Sequence, residues 1–521
     1  MLFLSGVNLF SHKPNRMHEL GPKSSVSYFR PPADRLQRGT RRTKMTSQGT
    51  FYIRTYGCQM NVHDSDKLAN LLHHTGFSRA EDDAEADLLV INTCSIRDKA
   101  ENQLYSDLGK LREWKEERPG RFLGVGGCVA QQVGDGILSR FSHVDFVFGT
   151  HNLRWVPAML DSARQGQRRG DTKEIRSLDR FDLPQKHTLF ESVTPGRAFL
   201  TVMEGCDMFC SFCIVPRTRG REISRPAEAI LAEARELAQR GVREVTLLGQ
   251  TVNAYGRHDL GRGRSQQAGT MAFGELLRHL DEIPGIDRIR YTSPHPLFFD
   301  EALIEAHAGL ESVCPHVHLP LQSGSDLILK KMRRRYGRDR YLEIVDELRE
   351  AVPSIAITTD VIVGFPGESE ADFEDTLDLM KQAEFVDSFS FKYSPRPETA
   401  AADLTDQVDP KTSQDRLERL QNVQRGLTLA HHRSRVGEKV EVLIEGPSRR
   451  GGGQLRGRDR HHRLVNLLAE DPPSPSPPRS GDLVEVDLVE ATPHSLIAKR
   501  SSAQQLSRAE NPRGKAEPLR I

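Results

Sequence analysis

Apolar runs and amphipathic stretches alternate between residues 51 and 165. Four apolar runs predict β-strands, at residues 51–57, 88–93, 121–127 and 144–150. Between them, apolar residues recur at helical spacing from Ser65 to Thr75, with Gly76 just past the end, and from Ile96 to Glu117. This alternation predicts an α/β domain whose parallel sheet is covered by helices on both faces.

The same alternation returns between residues 197 and 394. Six apolar runs predict strands at 198–205, 243–250, 288–293, 316–322, 355–365 and 385–394. Amphipathic helices are predicted between them, among them Pro226–Arg240, Arg338–Ala351 and Ser369–Ala383. Six parallel strands with outer helices predict an incomplete version of the eight-fold β/α barrel.

The C-terminal part has a different pattern. After a charged helix over 410–435, short alternating strands at 438–446, 462–469, 481–491 and 495–500 predict a small antiparallel β-barrel or sandwich. The predicted organisation is an extension (1–48), an α/β domain (49–165), a polar linker (166–196), the partial barrel (197–433), the small β domain (434–501) and a disordered tail (502–521).

The first 45 residues carry nine Lys and Arg against two acidic residues, Glu19 and Asp34. An Arg-rich, acid-poor start is typical of a transit peptide. The alternative that we favour is a disordered tail, or a start placed too early, with Met45 just ahead of the first strand.

Composition limits the classes of protein that remain. The 521 residues have a formal net charge of +1, and no run of 18 apolar residues predicts a membrane-spanning helix. Near-zero net charge argues against a uniformly basic nucleic-acid-binding surface but leaves room for local basic patches. Seven cysteines are too few for a disulfide scaffold, so we expect a multidomain protein of a reducing, intracellular compartment whose cysteines serve metal or redox chemistry.

Three cysteines share one structural position in the α/β domain. Cys58, Cys94 and Cys128 each fall directly after a predicted strand. Because the carboxyl ends of parallel strands open on one edge of a sheet, the three side chains can converge there. Any one of them alone is better explained as a buried thiol. All three together favour a shared metal site.

Three more cysteines crowd into one loop, after the first strand of the partial barrel. Cys206, Cys210 and Cys213 place three thiols within eight residues. They do not complete a four-ligand zinc site without a remote ligand such as Cys314 or a histidine. An iron–sulfur cube normally takes four cysteines, so three leave one iron open to an outside ligand. An open iron indicates reactivity rather than a purely structural role.

The spacing Cys-x3-Cys-x-aromatic-Cys, with Phe212 as the aromatic residue, resembles that of the radical S-adenosylmethionine enzymes. The resemblance implies a [4Fe-4S] cluster on these three cysteines, with S-adenosylmethionine chelating the open iron. It further implies reductive cleavage of S-adenosylmethionine to a 5′-deoxyadenosyl radical.

The whole three-domain arrangement resembles the methylthiotransferases, and in particular the MiaB-type tRNA methylthiotransferases. The motifs that carry this resemblance are Thr55-Tyr-Gly-Cys-Gln-Met-Asn61, Asn92-Thr-Cys-Ser-Ile-Arg97, Gly126-Gly-Cys-Val-Ala-Gln-Gln132, Cys213-Ile-Val-Pro216, Thr218-Arg-Gly-Arg-Glu222 and Gly364-Phe-Pro-Gly-Glu368. The sister enzymes that act on a ribosomal protein or on threonylcarbamoyladenosine tend to have Gly-Cys-Pro-Lys-Asn or Gly-Cys-Lys-Val-Asn around the first cysteine. One departure is Arg217, where members of the family often carry tyrosine.

The resemblance implies methylthiolation at C2 of N6-isopentenyladenosine, at position 37 of tRNA. It implies two [4Fe-4S] clusters, one on Cys206, Cys210 and Cys213 and an auxiliary one on Cys58, Cys94 and Cys128. S-adenosylmethionine would then be both methyl donor and radical source. We interpret the seventh cysteine, Cys314, as a small buried residue of the barrel.

Further partners and a location follow from the same resemblance. We expect tRNA, an electron donor of flavodoxin or ferredoxin type, no membrane, a monomer and a bacterial cytoplasm, with import into an organelle the less favoured alternative. The sequence leaves the source of the inserted sulfur open.

Several polar and glycine residues lie at the predicted strand ends of the partial barrel, where active sites of such barrels form. We expect Gln250, Gln322, Gly364 and Gly367, together with Phe212, to lie near S-adenosylmethionine. Glycine allows close approach of a backbone to a ligand. For any single residue of this set, an ordinary strand-end turn is the competing explanation.

Basic residues are concentrated in three runs, over 330–340, over 449–463 and at Arg217, Arg219, Arg221 and Arg225. Such runs are usually solvated faces, but three of them in a neutral chain indicate a phosphate-binding surface. The residues predicted to contact RNA are Arg333, Arg334, Arg335, Arg449, Arg450, Arg456 and Arg458. The small β domain resembles TRAM, an RNA-binding module, and a loop adenosine would be recognised as a splayed single-stranded base.

Two alternatives to this function are kept. One is a sister methylthiotransferase, acting on threonylcarbamoyladenosine in tRNA or on a ribosomal-protein aspartate. The other, from a different class, is a non-catalytic RNA-binding protein with structural zinc.

Overall fold

The computed structural model describes residues 48–95, 98–181, 195–261, 268–449, 451–469 and 477–501, which all belong to one unit, Ser47–Ile521. The extension and the tail predicted at the two ends lie outside the described residues, except for residue 48. No described helix is long and apolar enough to cross a membrane.

The N-terminal domain contains a six-stranded sheet in the order β2-β1-β3-β4-β5-β6, with every neighbouring pair parallel. Apolar clusters cover both of its faces, which confirms the predicted α/β arrangement. The strands are β1 Thr50–Thr55, β2 Ser78–Arg79, β3 Leu88–Thr93, β4 Phe122–Gly127, β5 Phe146–Phe148 and β6 Arg169–Asp171. The helices are α1 Gln59–His74, α2 Asp98–Glu117, α3 Cys128–Val133, α4 Asp135–Arg140 and α5 Val156–Arg164.

Two boundaries of this domain differ from the sequence prediction. Helix α1 begins at Gln59, six residues before the predicted Ser65, because its first turns bury polar residues that interrupt the apolar pattern: Asn61, His63 and Asp64 are all buried. Strand β6 pairs with β5 and so extends the sheet beyond residue 165, into the segment predicted as a linker.

The six predicted strands of the partial barrel are all present, as two three-stranded parallel sheets in the orders β11-β10-β7 and β12-β13-β14. An isolated parallel bridge pairs Ile289 of β11 with Val313, three residues before β12. The strands of this region are β7 Arg197–Thr201, β8 Met203–Glu204, β9 Ile223–Ser224, β10 Glu244–Leu248, β11 Arg288–Tyr291, β12 His316–His318, β13 Ala356–Val363 and β14 Asp387–Lys392. Its helices are α6 Val215–Thr218, α7 Ala227–Gln239, α8 Arg257–Leu260, α9 Phe273–Asp281, α10 Glu301–Gly309, α11 Asp326–Lys331, α12 Arg338–Ala351, α13 Glu370–Gln382 and α14 Pro410–Ser434.

Side chains alternate between the two faces of the barrel strands. Val245, Ile289, Val317 and Val361 belong to the large apolar cluster shared with the outer helices. Because side chains alternate along a strand, their neighbours in sequence point to the concave inner face. That inner face carries the polar and charged residues of the barrel.

Glu244 is a buried, negatively charged residue at the base of the inner face. Its carboxylate lies 2.8 Å from Arg197, 3.0 Å from Arg290 and 3.7 Å from Arg288. Burial alone raises the pKa of Glu244, but Arg290, Arg197 and Arg288 outweigh it and lower the pKa to about 2. The carboxylate therefore stays ionised and neutralises part of a buried cluster of positive charge.

Replacing Glu244 with glutamine is expected to destabilise the protein by about 3–5 kcal/mol at pH 7, because buried arginines lose their counter-ion. The depressed pKa means that this stabilisation is present above the unfolded value of about 4.3 and is lost as pH falls through about 2. Urea unfolding at several pH values checks this, with the exposed Glu282→Gln as control. A difference from wild type that does not shrink between about pH 4 and pH 2 would contradict the assignment.

The C-terminal domain is a closed five-stranded barrel in the order β15-β16-β17-β19-β18, which confirms the predicted small β-barrel. Its strands are β15 Lys439–Pro447, β16 Leu455–Asp459, β17 Leu464–Leu467, β18 Leu483–Ala491 and β19 Leu496–Arg500. All pairings are antiparallel except that of β17 with β19. Strand β16 was not predicted, because arginine and glycine dominate its sequence.

Strand β16 contacts the base of the partial barrel. Arg288 Nη1 donates to the carbonyl oxygen of Arg458 (2.9 Å), and Arg290 Nη2 donates to that of Asp459 (2.8 Å). In this contact between the two domains, backbone carbonyls of the arginine-rich run accept the hydrogen bonds. This run therefore has a structural role in addition to the one predicted from its charge.

Candidate functional site

The three N-terminal cysteines lie at the carboxyl ends of three adjacent strands. Cys58 precedes α1, Cys94 follows β3, and Cys128 is the first residue of α3 after β4. Gly57, with φ +130°, allows a close approach here, since a Cβ atom on it would lie 2.2 Å from the Cβ of Cys94. A hydrogen bond with Cys94 lowers the pKa of the Cys58 thiol below its usual value. The thiolate, which is the metal-binding form, is thereby favoured at Cys58.

Asparagine side chains hold the loops that carry these cysteines. Asn61 Nδ2 donates to the carbonyl oxygen of Thr93 (2.9 Å), and Asn92 Nδ2 donates to that of Asn61 (2.9 Å). The Asn61 Oδ1 atom also lies 3.2 Å from Cys58 Sγ. These bonds join the end of β3 to the start of α1, and they explain why polar residues are buried there.

Arg219 reaches this site from the barrel domain. Its buried guanidinium donates through Nη2 to Asp64 Oδ2 (2.6 Å), and its positive charge faces Cys58 and Cys128. Burial lowers the pKa of Arg219, but Asp64 and the neighbouring thiols raise it well above its usual value. The backbone carbonyls of Thr218 and Arg219 accept from Thr150 Oγ1 (2.6 Å) and contact His151 Nε2 (3.0 Å). The segment is therefore fixed against the N-terminal domain.

The second set of cysteines lies in the loop between β8 and α6. Cys206, Met208 and Cys210 form one small apolar cluster, against which Phe212 and Cys213 pack. Burial, followed by the charges of Cys210 and Cys206, raises the pKa of Cys213 to about 12. Burial and the neighbouring thiols thus disfavour the thiolate form of Cys213, which a bound cation would stabilise.

Two polar side chains contact sulfur in this loop. Cys206 Sγ and Thr251 Oγ1 are 3.1 Å apart, and Arg334 Nη1 donates to Cys210 Sγ (3.4 Å). Sequence reasoning missed Thr251, and it assigned Arg334 to an exposed RNA-binding run. Arg334 is instead buried, 6% exposed, and also donates to the carbonyl oxygen of Pro320 (3.3 Å). Its position belongs to the cysteine loop rather than to an exposed basic surface.

The residues expected near S-adenosylmethionine occupy two different environments. Gln250 Oε1 accepts from the Gly205 amide (2.5 Å), directly before Cys206, and Phe212 packs beside the cysteines. Gln322 has φ +73° and bonds to β13 through its backbone. These three residues lie on the loops at the carboxyl ends of the barrel strands.

Gly364 and Gly367 have positive φ and are crowded by the chain itself. A Cβ on Gly364 would lie 2.3 Å from Ser413 Oγ, and one on Gly367 would lie 2.0 Å from Lys331 Nζ. Close packing of this chain's own atoms therefore accounts for both glycines, and their contact with a ligand stays a prediction.

The arginines predicted to bind RNA also divide into groups. Arg333, Arg335 and Arg449 are exposed, whereas Arg456 and Arg458 are half-buried and lie 3.9 Å and 3.0 Å from Glu445. Arg450 lies outside the described residues.

The four arginines that follow the cysteine loop, at positions 217, 219, 221 and 225, do not form one basic surface. Arg219 and Arg225 are buried and paired with Asp64 and Glu233. The exposed pair, Arg217 and Arg221, contacts Glu398 and Asp207. The expectation of a phosphate-binding run here is therefore wrong for Arg219 and Arg225.

Cys314 is fully buried at the base of the barrel, and burial raises the pKa of its thiol. Its amide donates to the carbonyl oxygen of Ile289 (3.0 Å), and its sulfur faces Arg290. The residue belongs to neither set of three cysteines.

Each set of cysteines has the donor chemistry of an iron–sulfur cluster with one open iron, since three thiols bind three different metal atoms of a cube. Among the residues that the structure describes, no group of three or more His, Cys, Asp or Glu side chains is placed so that it could hold a metal ion. The two sets of cysteines match an iron–sulfur cluster in ligand type and ligand number.

Comparison with known families agrees with this division of the chain. Residues 200–380 match the Radical SAM superfamily, and residues 50–149 match the uncharacterized protein family UPF0004. Among solved structures, the radical S-adenosylmethionine methyltransferase TsrM from Kitasatospora setae, with cobalamin and a [4Fe-4S] cluster bound, is similar in fold. It aligns with a TM-score of 0.50 at 14% identity, over 68% of this chain and 77% of that one.

Curated relatives are similar over almost their full length. The tRNA-2-methylthio-N(6)-dimethylallyladenosine synthase of Geobacter metallireducens is 48% identical over 87% of this chain and 99% of its own. The synthase of the same name from Nocardia farcinica is 45% identical over 87% of this chain and 89% of its own. With both domains matched and two cysteine triads at their strand ends, the chain belongs to the MiaB-type methylthiotransferase family of the radical S-adenosylmethionine enzymes.

Proposed function

We propose that this protein is the enzyme that converts N6-isopentenyladenosine (N6-dimethylallyladenosine) of tRNA to its 2-methylthio derivative, at C2 of the base and at position 37. The observation that carries the proposal is the 48% identity to a synthase of this name over 99% of that relative's length. Neither a sister methylthiotransferase nor a zinc-containing RNA-binding protein is favoured by the relatives' names and the Radical SAM match.

The protein uses an iron–sulfur cluster and S-adenosylmethionine, as members of the Radical SAM superfamily do. We propose that Cys206, Cys210 and Cys213 hold one [4Fe-4S] cluster and that Cys58, Cys94 and Cys128 hold a second. When bound, these groups supply the electron, the radical and the methylthio unit that an unactivated sp² C–H bond requires. The presence of two triads of free thiols, each with two buried members, supports the count of two.

The chain's own residues would tune and position these groups. Arg334 and Thr251 place a positive charge and a hydroxyl beside Cys210 and Cys206, which stabilises the thiolate forms. Arg219, paired with Asp64, places a second buried positive charge beside the other triad. Since Arg219 comes from the barrel domain and Asp64 from the N-terminal domain, this pair also links the two domains that carry the triads.

We propose that S-adenosylmethionine binds beside Gln250, Gln322 and Phe212, with Gly364 and Gly367 shaping the neighbouring turns. Gln250 supports this because it bonds the backbone directly before Cys206. Water must be excluded there to protect a reactive intermediate, and the apolar packing of Phe212, Met208 and Phe298 around the loop serves that purpose.

The substrate is a tRNA, and we propose that exposed Arg333, Arg335 and Arg449, with Arg450, Arg456 and Arg458, contact its phosphates. Phosphate contacts of this kind hold the RNA while a single unstacked base enters the site. We further propose a flavodoxin- or ferredoxin-type reductant, a monomeric enzyme and a cytoplasmic location, as befits relatives that modify bacterial tRNA.

Purified, cluster-reconstituted protein tested with three substrates separates this function from its alternatives. With dithionite and S-adenosylmethionine, we expect methylthiolated nucleoside from tRNA that carries N6-isopentenyladenosine. We expect none from tRNA that carries threonylcarbamoyladenosine and no modification of a ribosomal protein. Product with either of the last two substrates alone would overturn the proposal, as would colourless protein holding stoichiometric zinc.

A further inference from the structure

The last strand of the partial barrel, β14, has its polar and apolar residues on unexpected faces. Ser390 points to α14, where its Oγ lies 3.5 Å from Gln421 Nε2. Phe389 and Phe391, which alternate with it, therefore point the other way, into the barrel, and remain 58% and 42% exposed. Strand β14 thus directs a serine toward its covering helix and leaves two aromatic rings exposed. These rings therefore do not serve to pack the hydrophobic core of the protein.

The strand register places these rings against the inner face of β13. Phe389 is the partner of Asp360, and Phe391 is the partner of Ile362. The intervening Val361 and Val363 lie in the outer apolar cluster, so Asp360 and Ile362 face inward with the two phenylalanines. We name the surface formed by Phe389, Phe391 and Ile362 the aromatic shelf.

One edge of the aromatic shelf is polar. His318, from β12, lies edge-on to Phe389, with ring centroids 5.9 Å apart and planes at 68°. Its Nε2 lies 3.3 Å from Asp360 Oδ2, and its Nδ1 lies 3.0 Å from Thr358 Oγ1. The imidazole and the half-buried carboxylate thus border the shelf with hydrogen-bonding groups.

The other end of the aromatic shelf leads to the cysteine loop. Ile362 and Phe212 both pack against one buried apolar cluster, which contains Met332 and Phe365. Phe212 stands between Cys210 and Cys213 and also packs against Cys206 and Cys210. This buried cluster therefore lies between the shelf, which it contacts through Ile362, and Phe212, which packs beside the thiols proposed to hold the radical-generating cluster.

These features suit one kind of ligand: a flat aromatic base with an aliphatic substituent and a polar edge. Nucleobases stack on exposed aromatic side chains, and an apolar pocket discriminates in favour of a ligand's extra aliphatic carbons. The bordering His318 and Asp360 can bond to ring nitrogens of the base. Paired exposed aromatic rings inside a concave site are the kind of apolar patch that marks ligand binding.

We propose that the aromatic shelf receives the target adenine together with its N6-dimethylallyl group, and that Phe389 and Phe391 select the alkylated base over unmodified adenine. This inference rests on the proposed function and adds the residues that determine its substrate specificity. A base that stacks on β14 would lie near the Cys206–Cys213 loop, where the reaction is proposed to start.

The test is a binding measurement with two anticodon stem-loop RNAs, identical except that one carries N6-dimethylallyladenosine and the other adenosine. We expect the reconstituted wild-type protein to prefer the alkylated RNA by about tenfold or more. The double variant Phe389→Ala/Phe391→Ala should reduce this preference to about twofold or less, while affinity for the unmodified RNA changes by less than about threefold. Phe391→Leu, which keeps apolar area, should retain part of the preference.

Leu327→Ala provides a matched control. Leu327 lies on α11 and is 54% exposed, close to the exposure of Phe389, but it lies outside the shelf. This variant should keep the wild-type preference. Should the double variant fail to fold, as judged by its thermal midpoint, the single variant Phe389→Leu replaces it, with a weakened preference as the expected result.

Three results would overturn the inference. They are wild-type protein without preference between the two RNAs, a double variant that keeps the full preference, and a double variant that loses affinity for both RNAs equally. Product analysis on the wild-type protein is scored separately. Methylthiolated product together with an unchanged preference in the double variant would refute the shelf alone, whereas absence of product from the alkylated RNA would refute the proposed function.

Discussion

Replacing Cys210 with alanine is expected to abolish formation of 5′-deoxyadenosine and of methylthiolated tRNA, with loss of activity below the detection limit. Cys210 contributes one of the three thiols of the loop, and Arg334, the side chain that hydrogen-bonds to its sulfur, has no lone pair with which to replace it as a ligand. With two thiols left, the cluster proposed for this loop would not be retained. Chromatographic analysis of 5′-deoxyadenosine after reaction with dithionite measures the effect.

Cys314→Ala is the matched control for this variant. It removes a thiol of equal size that is also buried, but one that lies at the base of the barrel beside Arg290. We expect it to retain 5′-deoxyadenosine formation and the full iron content. Loss of 5′-deoxyadenosine formation in Cys314→Ala with retention in Cys210→Ala would reverse the assignment of the ligands.

Replacing Cys94 with alanine is expected to stop methylthio insertion while sparing part of the 5′-deoxyadenosine formation. The residue lies at the end of β3, in the N-terminal domain, whereas the Cys206–Cys213 loop and its supporting residues Gln250, Thr251 and Arg334 all belong to the barrel. Removal of one thiol from the first site should therefore leave the second intact. Iron analysis should fall from about eight to about four atoms per chain.

The same Cys94→Ala sample should be analysed for both products. Part of the 5′-deoxyadenosine without methylthiolated nucleoside is the expected pattern. Methylthiolated tRNA at the wild-type level would exclude Cys94 as a ligand of the auxiliary cluster. Complete loss of 5′-deoxyadenosine would instead indicate that the two sites are not independent, contrary to the two-cluster proposal.

Much of this architecture could be predicted from periodicity alone. Strand β3 and helix α12 were predicted to the residue, and the strand-end positions of Cys58, Cys94 and Cys128 followed from the strands. Such elements have apolar faces whose spacing reports their structure directly. The cysteine positions could be interpreted because a parallel sheet brings its carboxyl ends to one edge.

The sequence was less informative where polar residues are buried. Helix α1 starts before its apolar pattern does, since Asn61 and Asp64 bond to the cysteine loops and to Arg219. Strand β16 is dominated by arginine and glycine, and its pairing depends on neighbours elsewhere in the chain. Charge alone likewise cannot separate exposed Arg333 from buried Arg334, because only the fold shows which one turns toward Cys210.

The sequence pattern also did not reveal the aromatic shelf. Phe389 and Phe391 look like ordinary core residues of a strand, and the alternating serines look like its solvent face. Only the packing of Ser390 on α14 reverses that interpretation. The reversal of an amphipathic strand relative to its covering helix is a signal that sequence patterns do not contain, because both orientations have the same period.

The most direct measurement of the central claim is nucleoside mass analysis of tRNA from a bacterial host that lacks its own 2-methylthioadenosine synthase but still makes N6-isopentenyladenosine. Expression of this protein should convert that nucleoside to 2-methylthio-N6-isopentenyladenosine, and expression of Cys210→Ala should leave it unconverted. Unconverted N6-isopentenyladenosine in cells that contain the wild-type protein with its iron would contradict the account.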